Sequence, residues 1–293
     1  MRTIHLLSLL IIILLSSCSG KNDKSDAYGT FEATEVTISS EMPGKIISLA
    51  AEEGTEIKAG DEVGLIDTTD LQLKRQSMVA QLLAVSTKLD GISAQLSVQE
   101  QQKENLLIEK RRLDQLFADK AATQKQLDDM NGNLKLIDKQ LHATAVQKES
   151  VNHEQEALRQ QIAQIVENIS KCHIVNPIEG IVLAKYMEAG EIALAGKPLY
   201  KIADLREMDI RVYVSGTQLP HIKLGQQAEV LIDEDKTKNR KLSGTVKWIS
   251  STAEFTPKII QTKEERVNLV YAVKVRVKND GSLKIAMPGE VKF

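Results

Sequence analysis

The chain has 293 residues, 42% of them hydrophobic and 27% charged, which is long enough for two or more ordinary domains. Its 38 basic and 40 acidic residues nearly cancel, to −2, and aromatic residues make up only 3%, which excludes an electrostatic nucleic-acid binder and base-stacking platforms. Two cysteines exclude a disulfide framework and most structural zinc sites.

Residues 1–17 read as a secretory signal: Arg2, an apolar run over 6–15, then small residues. That run is about half the roughly twenty residues needed to span a bilayer. Its ending, Leu15-Ser16-Ser17-Cys18, resembles a bacterial lipobox. The resemblance implies that Cys18 is acylated and becomes the mature N-terminus. The alternatives are a plain signal peptide in which Cys18 has no role, or an internal apolar helix. Residues 18–27 are mostly small and polar and suit a flexible tether. Each buried methylene of the acyl chains adds about 0.8 kcal/mol of membrane binding. No later segment approaches a span, so Cys18 is expected to be the only membrane attachment.

A glycine spacing then occurs twice. Gly44, Gly54 and Gly60 repeat as Gly180, Gly190 and Gly196, and the apolar neighbours follow: Ile46 matches Val182, Val63 matches Leu199, and Ile66 matches Ile202. Each copy reads as short strands with tight turns in which glycine supplies positive φ. A copy this small cannot bury its apolar face alone, so the two halves are expected to pack together. The pattern resembles the half-motifs of lipoyl and biotinyl carrier domains. Ile66-Asp67-Thr68-Thr69-Asp70 stands where the carrier lysine belongs, and position 70 is Asp, which argues against a carrier role.

Between the copies, from Asp70 to Cys172, there is no Pro, and Gly occurs only at positions 91 and 132. Good helix formers dominate. Apolar residues step by alternating threes and fours through Met78, Leu82, Val85, Leu89, Ile92 and Leu96 to Leu113 and Phe117, and again from Leu127 through Leu134, Ile137, Leu141 and Val151 to Ile169. That is a heptad seam, and its period predicts a left-handed supercoil. Asp119-Lys120-Ala121-Ala122 breaks it, and Thr123 with Gln126 forms a capping box that restarts a helix. So short a link requires antiparallel neighbours, and arms of about fifty residues project roughly 75 Å. The alternative is a coiled coil that dimerises. At the turn, Arg112 and Leu116 lie one position off the seam and four apart, on one face beside Thr123. Thr123 can equally be a helix cap and Arg112 a solvated charge. Cys172 reads as a small buried hydrophobe at a helix end. Neither the pair Cys172 and His173 nor the helical His142 and His153 has metal-ligand surroundings.

The remainder reads as β structure, strand-like at 211–214, 228–232, 244–249 and 271–277, with Val273, Val275 and Val277 alternating inward. A short helix over 217–224, ended by Gly225, is expected between the first two strands. Several short strands without long helices suggest a small barrel.

A split lipoyl-like unit, a long hairpin and an export signal together resemble the periplasmic adaptors, or membrane fusion proteins, of the HlyD-like secretion family. Arg112, Leu116 and Thr123 match the adaptor motif that engages TolC-like outer-membrane channels. Ala253 to Lys258, Gln261, Thr262, Arg266 and Leu269 to Val273 resemble the barrel of adaptors paired with ABC-type exporters, as does Met287-Pro288-Gly289, with Ala286 where Gly is usual. Many adaptors continue into a further membrane-proximal domain after the barrel, and this chain is expected to lack it.

The expected class is α+β multidomain: a signal peptide at 1–17, a tether at 18–27, a lipoyl-like sandwich split into 28–67 and 174–204, a coiled-coil hairpin at 68–173, and a barrel at 205–293. By resemblance it bridges an inner-membrane exporter, ABC-type, to a TolC-like channel. Self-association into a ring, commonly a hexamer, membrane attachment through Cys18 in the inner membrane, and no nucleic-acid partner complete the expectation. No catalytic residue, cofactor or metal site is expected. An adaptor of a proton-driven pump, and a coiled-coil envelope scaffold without transport, are the competing readings.

Overall fold

The computed structural model describes residues 25–235, 238–255 and 269–293. Residues 1–17, Cys18 and the rest of the tether to 24 lie outside the described residues, as do Thr256, Pro257, Lys258, Gln261, Thr262 and Arg266 of the barrel motif.

The two glycine-marked copies form one sandwich by exchanging strands. The first contributes β2 (Glu35–Ser39), β3 (Gly44–Leu49), β4 (Glu56–Ile57) and β5 (Glu62–Ile66); the second contributes β6 (His173–Val175), β7 (Gly180–Lys185), β8 (Ile192–Ala193) and β9 (Pro198–Ala203). One four-stranded sheet runs β2-β9-β7-β4 and the other β6-β5-β3-β8. The offset that carries Gly44 to Gly180 carries each sheet onto the other. The match extends to single bonds. The Gly54 amide donates to Val182 O at 2.9 Å and the Gly190 amide to Ile46 O at 2.8 Å; the Gly60 amide donates to Asn176 O at 2.8 Å and the Gly196 amide to Ser40 O at 2.7 Å.

The glycines serve two different ends. Gly54 and Gly190 turn the chain at φ 84° and 97°, a region that penalises any Cβ. The first glycine of the second copy is needed for space instead: a Cβ on Gly180 lies 2.4 Å from Ala203 O. Between the sheets Ile46, Ile66, Val182, Leu199 and Ile202 are all buried, as the repeat requires. Buried polar groups are paired: Asn176 donates to Lys58 O at 3.0 Å and Ile178 O at 2.5 Å, and accepts from the Tyr200 hydroxyl at 3.0 Å.

Helix α1 (Thr69–Ala118) leaves directly from β5, and α2 (Gln124–Ser170) returns to β6. Because β5 and β6 are paired, Leu65 opposite His173, both roots of the hairpin stand on adjacent strands. At 1.5 Å per residue the longer arm extends about 75 Å. The seam follows the heptad reading: Ile92, Ile137, Thr144, Val151 and Ile165 are buried, and the other seam positions are half-buried except Phe117, which is exposed. Lys103 reaches across to Asp138 at 2.8 Å and Lys88 to Glu154 at 3.6 Å. These exposed pairs add little energy but agree with an antiparallel register. Gln99, on the seam, keeps a buried Oε1 without a hydrogen bond.

The barrel comprises β10 (Glu207–Ser215), β11 (Gln227–Asp233), β12 (Asn239–Ile249), β13 (Glu254–Phe255), β14 (Leu269–Lys278), β15 (Pro288–Lys292) and, from the other end of the chain, β1 (Ala27–Glu32). Strand order β10-β1-β15-β11-β12-β14 is closed by β10–β14 pairing, with β13 outside the ring. Val273, Val275 and Val277 point inward as expected, joined by Phe31, Ile210, Val212 and Val291.

Two expectations are corrected. Residues 28–32, assigned to the sandwich from sequence, belong to the barrel, where β1 pairs with β10 and β15 on either side. Its alternation, with Ala27 and Phe31 buried, marks a strand but not which sheet receives it, because its partners are remote in sequence. The helix expected at 217–224 shrinks to a 3-10 turn, Leu219–His221. Pro220 there donates no amide, and Gly225 at φ 82° turns the chain into β11.

Candidate functional site at the hairpin tip

Helix α1 ends in a Schellman motif. The Lys120 amide donates to Phe117 O at 3.0 Å and the Ala121 amide to Leu116 O at 2.8 Å. The residue in the left-handed position, usually glycine, is Lys120 at φ 60°. Such a conformation costs a non-glycine residue about 1–2 kcal/mol. Helix α2 then starts at Thr123, an extended N-cap whose amide donates to Gln126 Oε1 at 2.8 Å and whose hydroxyl accepts from the Gln126 amide at 3.3 Å. The capping box read from sequence is therefore present. Two opposed helix ends are satisfied within a few residues, so the tip is a defined structure.

On this frame Arg112 and Leu116 occupy one face of the last turns of α1. The Arg112 side chain is 67% exposed, with Glu109 at 3.3 Å as an ionic neighbour, and Leu116 is 42% exposed. Thr123 stands exposed across the turn, with its hydroxyl engaged in the cap. The arrangement offers one cation, an apolar side chain and a polar turn to something arriving end-on. Nothing here is fit for covalent chemistry.

Sequence reasoning placed Phe117 on the seam and missed it as a surface residue. It is 38% exposed, because the facing helix begins only at Gln124 and leaves the last turn of α1 partly uncovered. Phe117 adjoins Leu116, so the tip presents a larger apolar patch than the spacing implied. The signal was available: a seam cannot bury residues past the point where its partner starts.

The root of the hairpin holds Asp67, Cys172 and His173. Asp67 Oδ1 accepts from the Thr69 amide at 2.9 Å and from its hydroxyl at 2.6 Å, and these bonds hold its carboxyl below the usual carboxylate range. The segment that would carry a modified lysine in a carrier domain is thus the first turn of α1. Cys172 is buried, its thiol donates to Asn168 O at 3.3 Å, and burial with nearby Asp67 pushes its pKa up, which leaves a weak nucleophile. His173 pairs with Glu62 at 2.8 Å. Among the described residues no group of three or more His, Cys, Asp or Glu side chains is placed to hold a metal, and no helix is long and apolar enough to cross a membrane.

A sandwich of two interleaved halves, split by a long antiparallel hairpin and followed by a barrel, is the architecture of membrane fusion proteins. The model of the RND membrane fusion protein barrel-sandwich hybrid domain matches residues 34–205, from the point where the chain leaves β1 to the start of the barrel, and the chain belongs to that family. It is 26% identical to the UPF0194 membrane protein YE2891 of Yersinia enterocolitica, over 91% of this chain and 88% of the relative. In fold it is similar to MacA from Actinobacillus actinomycetemcomitans, with a TM-score of 0.59 at 20% identity over 90% of this chain and 76% of that one. The membrane fusion protein Spr0693 from Streptococcus pneumoniae R6 superposes with a TM-score of 0.56 at 14% identity, over 90% and 97% of the two chains. The expected fold class is therefore the observed one, and the chain is a periplasmic adaptor by family.

Proposed function

We propose that the protein is the lipoprotein adaptor of a tripartite export system, linking an inner-membrane ABC-type exporter to a TolC-like outer-membrane channel. In this reading Cys18 anchors it in the inner membrane, and the hairpin carries the tip about 75 Å away. Arg112, Leu116 and Thr123 dock on the channel, and copies associate into a ring, a hexamer in the family's common form, by head-to-tail contacts that close. The protein itself does no chemistry; the energy comes from the exporter.

The observation that carries the proposal is the tip: an exposed Arg112–Leu116 face at the end of a capped, rigid rod. Arg112→Glu tests it. The helices keep their content because the side chain is off the seam, and pull-down of the outer-membrane channel falls about tenfold or more, as expected when a charge at a contact is reversed. Undiminished pull-down would remove Arg112 from the docking face.

The exporter class has a second reading, because the matched family model is that of RND membrane fusion proteins, which favours a proton-driven pump. The resemblance of Ala253 to Phe255 and Leu269 to Val273 to ABC-associated barrels supports the first. Purification of the adaptor from crosslinked membranes decides: an ATPase subunit in the complex supports the ABC reading, and an RND pump with no ATPase overturns it.

A further inference from the structure

We infer that the end of the barrel farthest from the sandwich is a membrane-contact face, with Leu224, Phe255 and Leu269 seated in the headgroup region of the bilayer. Strand register and chain connection place these residues at the same end of the barrel. Tyr28 lies opposite Tyr213, Ser215 opposite Val270, and Phe255 opposite Leu269. The Phe255–Leu269 pair thus stands beyond the start of β1, at the end where the chain enters the barrel from its N-terminal side. The loop before β11, which carries Leu224, opens at the same end. So does the C-terminus, where the Phe293 amide donates to Asp26 Oδ2 at 2.9 Å. The opposite end is committed to the sandwich, through Ala33 after β1 and through Asp204 and Arg206 before β10, the latter two joined by a 2.7 Å ion pair.

This free end exposes large apolar side chains. Phe255 is 77% exposed, the highest value for any large hydrophobic side chain among the described residues; Leu224 is 70% exposed and Leu269 52%. Single exposed leucines are ordinary, but three large apolar side chains more than half exposed at one end of the barrel mark a contact. His221 and Lys223 flank Leu224, the sign that anionic headgroups favour. Glu254, next to Phe255 in sequence, is already bound by Arg211 at 2.9 Å.

The tether says what meets this face. Seven residue steps separate Cys18 from Ser25. Fully extended they cover at most about 25 Å. An acylated Cys18 therefore holds the barrel entrance within that distance of the bilayer, on the same end as the apolar side chains. The inference rests on the lipoprotein reading for its choice of a bilayer over a protein surface. An apolar surface of the inner-membrane transporter is the competing occupant.

The test uses the full chain with Phe255→Trp and Trp248→Phe, so that the only indole reports position 255. Vesicles of phosphatidylethanolamine with a minority of phosphatidylglycerol, plain or with brominated acyl chains, are the probe. The acylated chain is expected to shift its emission to the blue and to be quenched by bromolipid. The Cys18→Ser chain, produced from position 18 onward so that the apolar run over 6–15 is absent, is expected to be quenched as well, at higher lipid concentration. Adding Leu224→Asp and Leu269→Asp raises the half-quenching lipid concentration of that chain about tenfold or more. Acylated chain that floats with the vesicles but is not quenched overturns the face and leaves the anchor standing. If the Cys18→Ser chain is quenched as readily as its parent, the face stands and the anchor falls. An indole that ignores vesicles and shifts only when the purified transporter is added overturns the inference in favour of a protein interface.

Discussion

The sandwich and the hairpin solve the same problem, burying apolar surface, in opposite ways. The sandwich closes two small halves on each other by exchanging strands, so every element is held by partners remote in sequence. Its interior accommodates Asn176 and Tyr200 because each finds a hydrogen bond. The hairpin has only a seam one residue wide on each arm. It tolerates lysines at 103 and 110 and an orphaned Gln99 oxygen, and most of its surface is solvent. The contrast separates two tasks: the sandwich supplies cooperative stability at the base, and the hairpin supplies length.

The contrast can be broken at either side. The largest effect is expected in the sandwich. Asn176→Ala removes the acceptor of the buried Tyr200 hydroxyl and the side-chain donor to Lys58 O and Ile178 O, and costs about 3–5 kcal/mol. Denaturant unfolding followed by fluorescence should show the base lost in one step. A change under about 1 kcal/mol would mean that the polar cluster is not part of what holds the halves together. Ile137→Asp puts a charge in the seam and costs about 2–3 kcal/mol. Here the loss is local: circular dichroism reports a partial drop in helix content while the barrel and sandwich melt as before. Melting of all parts together would show that the rod is not an independent unit. The smallest effect is a gain. Lys120→Gly relieves the left-handed strain at the turn and stabilises the hairpin by about 0.5–1 kcal/mol. A loss of stability instead would mean that Lys120 makes contacts that outweigh its backbone cost.

The hairpin was legible because a heptad is a local pattern; its arms, its turn and the Thr123–Gln126 cap all follow from spacing within a few residues. The sandwich was legible because its two halves repeat, so Gly54 and Gly190 identify each other across more than a hundred residues. The place of β1 was not legible. Its partners are Tyr213 and Val291, and neither repeat nor period connects them to Tyr28 or Ala27. At the tip, Arg112 and Leu116 were readable as off-seam residues, whereas Phe117 was hidden by a seam extended one step too far. Cys18 lies outside the described residues, and its role remains a proposal drawn from the four residues that end with it.

The central claim is that the hairpin tip meets an outer-membrane partner. Thr123→Cys, placed in the Cys172→Ala background so that no second thiol remains in the acylated chain, tests it directly. In intact cells a short bifunctional crosslinker should join position 123 to an outer-membrane channel, and a cysteine at the solvent-facing Val146, partway along the rod, should give none of that product. A tip that links only to another copy of the chain, or to nothing while the channel is present, would contradict the account.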